Sequence, residues 1–516
     1  MKLLYQERGP DGYAVVLKEL KRTSWPRTCG AKASRPRAVG RPFTAYRERT
    51  ATQPRAGRSI KNRVTGTAFT RMTKTKLLLL VALVYLTVIV LLDFLQFAPR
   101  GDELHFWPTA LSFSESWVPS LDQLRAYHEL TTPLSFLIFG ALEHLLHGGI
   151  AAGRLFNMGL SFGMTAVIIT ATEDTRRGAL AAAGLLIFPY YLAVSAHLYP
   201  DVIGAAFVLA ALMCHFKRRP FASAACWCLA IASRQYAVAF PLAVAAYELF
   251  RGGQRPSNAK WRWLGPLASA ATIGGWMWLF GGPAPAGELA VQGIEANRLR
   301  HLDPTHAVYL LVCVGVYYVV PEILLFRRQV RLKPDTTYGM YGVVLATVLA
   351  SLAFPPLGND WGTPTMGLFD RMMVSVLTPW PRTIVYAGLA ALAALRFSEN
   401  SPAAFLVAAN AGILLISHTM WEKYALALLV CLWYLRAADP AGYFQPLGFR
   451  VNRAGNAGLL SGTGSGSPDA SLISCSSSAS LGRPASWSTN IRECCDGISN
   501  FFPHVLQVTS SSRRSR

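Results

Sequence analysis

Charge is scarce in this chain of 516 residues: Asp, Glu, Lys and Arg together make up 15%, against 52% hydrophobic residues. The apolar residues fall in long runs, without the period of 3.6 or 2.0 that marks a half-buried helix or strand in water, so the composition excludes an ordinary soluble domain. Acids are scarcer than bases, 28 against 50, for a formal charge of +22. That excess does not imply nucleic-acid binding. Residues 1–71 carry a net +13 and residues 445–516 a net +4, which leaves only +5 in between, and neither tail interleaves bases with aromatics.

Other absences narrow the field. There is no Asp-x-Asp among the segments placed outside the membrane below. None of the nine cysteines is spaced with histidines as a metal-binding set would be: Cys214, Cys226, Cys228, Cys313 and Cys431 lie in apolar runs, the others in the tails. We expect no metal and no cofactor. No internal repeat of the kind common in transporters is visible.

What is present is a succession of apolar segments separated by basic clusters. Lys74/Lys76, Arg176-Arg177, Lys217-Arg218-Arg219, Arg251 to Arg262 and Arg327 to Lys333 are assigned to the cytoplasm by the positive-inside rule. The fold expected is an all-α, polytopic bundle of about 12 transmembrane helices. Spans are expected at about 77–97, 154–171, 179–196, 202–216, 262–281, 306–326, 338–356, 381–396, 402–417 and 424–438. Residues 221–249 lie between two cytoplasmic clusters, so they must cross an even number of times. Two thin half-spans fit there, with Arg234-Gln235 at the outer apex.

Three regions are expected: a basic stretch over 1–71 that reads as a disordered arm, a transit peptide or an extension ahead of the functional start, a membrane domain over 72–440, and a Ser/Gly-rich, disordered tail over 441–516. Met72-Thr73-Lys74-Thr75-Lys76 before Leu77 reads like a membrane protein's own start. The long outer segment 98–153 includes Trp107, Trp117 and Tyr127, suited to a headgroup layer. Its run Pro133 to His147 reads as an interfacial or re-entrant helix covering a pocket.

The first outer segment opens with Gly101-Asp102-Glu103-Leu104-His105-Phe106-Trp107. Adjacent carboxylates at a membrane surface suit a base working on a substrate presented from lipid. Asp102 is the first choice for that base and Glu103 the alternative, or the group that orients the acceptor, while His105 is placed to hydrogen-bond either. The competing structural reading has Asp102 cap the next helix and Glu103 solvated. Arg234, amid apolar residues, would cost roughly 2.5–3.5 kcal/mol if it faced lipid. Facing a cavity, it is a cation at active-site depth, with Arg154 and His301 behind it and Gln235 beside it; the alternative is an arginine snorkelling to headgroups.

Taken in order, these motifs resemble a known family. Asp102-Glu103-Leu104-His105, the Thr131-Thr132-Pro133 segment, Gly153-Arg154-Leu155-Phe156-Asn157, Ser233-Arg234-Gln235, and Gly281-Gly282 through His301-Leu302-Asp303-Pro304 to Tyr309 are similar to the dolichyl-phosphate-glucose α-1,2-glucosyltransferases of asparagine-linked glycan assembly, of the GT-C class. The resemblance runs from about Met72 to Leu435. It departs at Phe354 to Asp360 and at Trp421-Glu422-Lys423-Tyr424, where the family has a Glu-Pro-Arg-Tyr-like sequence. It implies an inverting hexosyltransferase, glucose first, that takes its sugar from a polyprenyl- or dolichyl-phosphate donor and passes it to a glycan or lipid-linked oligosaccharide acceptor. The site would lie on the extracytoplasmic face of a prokaryotic plasma membrane or the endoplasmic reticulum. A secondary transporter relaying protons or ions through Asp102, Arg234 and Glu422 is the rival reading, and a noncatalytic scaffold the third.

Overall fold

Helices are the only backbone form that satisfies its own polar groups along an apolar segment, and among the described residues every regular element is helical. The computed structural model describes residues 73–250, 261–291, 302–326, 338–357, 366–417 and 419–438. They belong to the unit that begins at Thr73. The expectations for the N-terminal arm, the C-terminal tail and His301 fall outside the described residues.

The chain opens with α1 (Lys74–Leu92), capped by the Thr73 hydroxyl. The outer segment then folds into α2 (Glu103–Ser112), α3 (Leu121–Ala126) and α4 (Leu134–Leu146). It is followed by α5 (Gly149–Thr170), α6 (Thr175–Leu186), α7 (Pro189–Ser195), α8 (Pro200–Phe216), α9 (Pro220–Ser233) and α10 (Ala239–Phe250). After these come α11 (Leu264–Phe280), α12 (Ala286–Val291), α13 (Pro304–Val314), a π-type turn and α14 (Val320–Leu325). The set closes with α15 (Tyr338–Ala353), α16 (Leu368–Val376), α17 (Pro379–Arg396), α18 (Pro402–Leu414) and α19 (Leu426–Ala438).

Among the described residues, three helical stretches are long and apolar enough to cross a membrane: Lys74–Leu91, Gly149–Thr170 and Pro304–Leu325. The pair Thr175–Leu186 and Pro189–Ser195, bent by 73°, makes a fourth if taken as one broken span. This is fewer than the 12 expected, and the reason is local. Pro189 at the first turn of α7, where its fixed φ starts a helix, breaks the expected span 179–196, and the other apolar helices among the described residues have 10–17 residues.

The centre of the bundle is its last helix. Leu426 through Ala437 are all buried, and α19 packs against α5, α6, α8 and α18. A helix apolar on every side belongs in a core or in lipid, and here its neighbours cover it. By contrast α1 leaves Leu79, Leu80, Leu83, Leu86, Val90 and Leu91 exposed, as a lipid-facing helix would.

Polar contacts separate into two ends. At one, Lys74 pairs with Glu173 at 3.3 Å, Arg177 donates to the Arg436 carbonyl at 2.8 and 2.7 Å, and Glu322 takes Arg396 at 2.7 Å and Arg436 at 2.9 Å. At the opposite ends of α5 and α19 lie Arg154 and Lys423, with the outer segment between them. His215 meets Glu248 at 2.9 Å, so α8 and α10 finish together, whereas Arg234 lies at the start of α8. The chain therefore leaves the basic end along α9, reverses at Arg234 and returns along α10.

Pro133 to His147 forms α4, with Phe136, Phe139 and Gly140 buried against the bundle. A Cβ on Gly140 would come within 2.8 Å of the Ala110 carbonyl oxygen and the Phe113 carbonyl carbon, so α4 and α2 touch through glycine. Gly140→Ala should force those helices apart and destabilise the protein by about 1–3 kcal/mol, read as a lower thermal midpoint in detergent; an unchanged midpoint would mean that the contact is not tight.

Candidate functional site

The acidic motif is divided by helix geometry. At 100° per residue, a side chain at the start of α2 that faces the bundle is followed two positions later by one that faces away. Glu103 is the inward group and is fully buried. Its carboxylate receives Arg154 Nε at 2.9 Å and Nη2 at 2.6 Å, the Leu198 amide at 2.8 Å and His197 Nδ1 at 3.1 Å. Arg154 also donates to the Phe94 and Phe97 carbonyls at 2.6 and 2.7 Å. The glutamate read as an alternative base and the arginine read as a reserve cation thus hold each other. Together they pin the end of α1, the start of α2 and the turn before α8. Burial acts to raise the Glu103 pKa, but the hydrogen bonds from His197, Arg154 and the Leu198 amide outweigh it and hold the carboxyl down at about 2.

Asp102 is placed differently. It occupies the N-cap position of α2, but its side chain accepts no capping hydrogen bond. Instead its Oδ2 lies 2.5 Å from Lys423 Nζ, across 321 positions of sequence. Its side chain is 45% exposed, against 14% for Lys423, so the carboxylate is reachable from outside. Lys423 Nζ also sits 4.7 Å over the Tyr199 ring. His105 is exposed on the far side of α2, in a groove of about 520 Å³ with Asp122, Gln123 and His128. The structure does not bring it to Asp102.

Arg234 ends α9 in an extended conformation, φ −150°, ahead of a tight turn over Gln235–Val238. It is buried and ion-paired through Nη2 to Asp201, which also accepts from the Tyr236 hydroxyl at 2.7 Å. The Tyr236 and Tyr424 rings meet with centroids 5.6 Å apart and planes tilted by 40°, which joins this pair to the Asp102–Lys423 pair. Arg234 Nε has no hydrogen-bond partner among the described residues. Gln235 braces the loops, donating to the Leu130 carbonyl at 2.6 Å and the Pro283 carbonyl at 3.2 Å.

Sequence reasoning missed three members of this end. Asp201 is the counter-ion of Arg234, and its signal is weak: one acid at the outer turn before α8. Lys423 carried a better one, since a lysine is rare on the acid-rich side. Glu129 lies in the loop between α3 and α4, buried, with Oε1 unpartnered among the described residues. Burial first, and then the charges of Glu288 and Asp102, opposed by Arg234, push its pKa up to about 8.

Glu422, next to Lys423, faces the opposite way. It is fully buried, accepting the Tyr309 hydroxyl at 2.8 Å, the Tyr317 hydroxyl at 2.7 Å and the Asp370 amide at 3.1 Å. Burial raises its pKa, partly offset by these hydrogen bonds. Its contacts are structural: they fix the turn that presents Lys423. No group of three or more His, Cys, Asp or Glu side chains among the described residues is arranged to hold a metal ion. No family model, curated protein or solved structure matches this chain.

Because the Glu103 pKa is depressed in the folded state, its stabilisation is full above the ordinary carboxylate range and is lost as pH falls toward about 2. Glu103→Gln should lower the thermal midpoint at neutral pH by the equivalent of roughly 3–5 kcal/mol, because Arg154 is left buried without its counter-ion. It should also flatten the decline in stability on acidification. A wild-type-like acid profile in the variant would show that Glu103 does not carry that dependence.

Proposed function

We propose that this chain is an inverting membrane glycosyltransferase of GT-C type, transferring a hexose, glucose in the first instance, from a polyprenyl- or dolichyl-phosphate donor to a lipid-linked or surface glycan acceptor. One observation carries the reading. At the end of the bundle away from the basic clusters, an accessible carboxylate, a lysine, a buried arginine with an unpartnered Nε, and tyrosine faces from distant parts of the chain meet in one place. About 12 crossings, some of them short or bent, are part of the proposal, as are multi-pass insertion in a prokaryotic plasma or endoplasmic reticulum membrane and a site on the extracytoplasmic face.

In this reading Asp102 takes the proton of the acceptor hydroxyl as its oxygen bonds to the anomeric carbon. The bond from that carbon to the phosphate oxygen breaks, and its electrons leave with the lipid phosphate. Because the attack is a single displacement from the opposite face, the anomeric centre inverts. Arg234 and Lys423 face the negative charge that develops on the phosphate. Lys423 has further ammonium protons beyond the one directed at Asp102, and Arg234 has Nε. The ionisable groups gather at helix ends, which favours a surface site for a lipid-borne substrate over a transporter's mid-depth relay.

Membranes containing Asp102→Asn should transfer label from a polyprenyl-phosphate sugar at least about 100-fold more slowly than wild type, with the protein still inserted and folded. Undiminished transfer would move the base elsewhere. Arg234→Lys should mainly raise the donor concentration needed, since a point charge replaces the guanidinium fork; an unaltered donor dependence would remove Arg234 from the phosphate.

A further inference from the structure

Several buried polar atoms at this end of the bundle lack partners among the described residues, Thr131 Oγ1 and Asn157 Oδ1 among them, and two belong to ionisable side chains: Glu129 Oε1 and Arg234 Nε. Both residues are more than nine-tenths buried, Glu129 at 5% and Arg234 at 6% exposure. Such atoms cost roughly 1–3 kcal/mol each when left unsatisfied, so finding two together marks a place built for something else. Their loops are tied together, and the Arg234 charge acts on Glu129. Gln235, next to Arg234, donates to the carbonyl of Leu130, next to Glu129, at 2.6 Å. The Thr132 hydroxyl fixes the same loop to the Ile231 carbonyl at 2.8 Å, and Tyr127 donates to the Thr131 carbonyl.

An ionised carboxylate beside Arg234 would repel a phosphate. A protonated one does the opposite, because its O–H is a donor that an anionic oxygen accepts. We propose that Glu129 binds the phosphate of the lipid donor in its protonated form, its carboxyl O–H and Arg234 Nε–H donating to the non-bridging oxygens. This deepens the reading above and rests on it. No proton leaves Glu129: it stays a hydrogen-bond donor while Asp102 handles the acceptor's proton. The environment supports the division of labour, since burial and the charges of Glu288 and Asp102 keep Glu129 protonated up to about pH 8. The charged and titratable groups that act on it are Glu288 from α12, Arg234 from the break after α9, Asp102 at the start of α2 and Tyr127 from its own loop; His128 pairs with Glu288, and Lys423, from the turn before α19, with Asp102.

The test is equilibrium binding of polyprenyl phosphate to the purified full-length protein in detergent across neutral to alkaline pH. The phosphate's own second ionisation, near pH 6, is complete before the range of interest. Wild type should lose affinity as pH rises through about 8, by about tenfold per further pH unit. Glu129→Gln, whose amide donates at every pH, should lose that dependence, and Glu129→Ala should bind at least about tenfold more weakly below it. A decline of the same steepness in Glu129→Gln, or no decline in wild type, overturns the proposal while leaving the transferase reading intact. Failure of wild type to bind polyprenyl phosphate at any pH overturns both. Infrared difference spectra provide a readout without ligand: a protonated-carboxyl band that titrates near pH 8 in wild type and is missing in Glu129→Gln supports the assignment, and its absence from wild type contradicts it.

Discussion

The pairing of Glu103 with Arg154 is the constraint on which the rest of the site depends. Leaving one charge of a buried pair without the other costs roughly 3–5 kcal/mol, a large share of a domain's net stability of about 5–15 kcal/mol, so each of these residues requires the other. The pair satisfies the carbonyls at the end of α1, the amide of Leu198 and the start of α2 in a single network. Once Glu103 is turned inward, its neighbour Asp102 is left at the rim, facing Lys423. The chemistry proposed for Asp102 is therefore a consequence of where Glu103 must go.

The same logic recurs at Arg234. A helix long enough to run through would carry the arginine into lipid. Ending α9 at Ser233, turning through an extended Arg234 and restarting at Ala239 instead places the guanidinium on Asp201, at the start of α8. At the far end, Glu322 holds both Arg396 and Arg436, joining α14, α17 and α19. Buried ion pairs are weak stabilisers relative to apolar packing but strong determinants of register, since a slip of one residue would strand a charge. In this bundle they fix which helix ends share a rim.

Much of that arrangement was legible in the sequence. The positive-inside pattern separates Lys74, Arg177 and Arg262 from Asp102, Arg154 and Arg234, and the structure keeps the two sets at opposite helix ends. The even-crossing argument over 221–249 put the turn at Arg234-Gln235, where α9 breaks. Pairings were not legible, because nothing in a sequence links Asp102 to Lys423 or Arg234 to Asp201 except the fold. Nor was the break within the expected span 179–196: hydropathy reads Pro189 as part of an apolar run, whereas the backbone reads it as a fresh start. Glu129 gave no signal at all, since its burial depends on a loop clamped from both sides.

The central claim is that this rim transfers a sugar from a lipid phosphate. The most direct measurement incubates the purified full-length protein with polyprenyl-phosphate glucose, mannose and arabinose in parallel, each labelled in the sugar, together with a lipid-linked oligosaccharide acceptor. The account predicts label in the acceptor from one of these donors, glucose first, with the anomeric configuration inverted. Folded protein that moves label from none of them, or that gives a product of retained configuration, would contradict it.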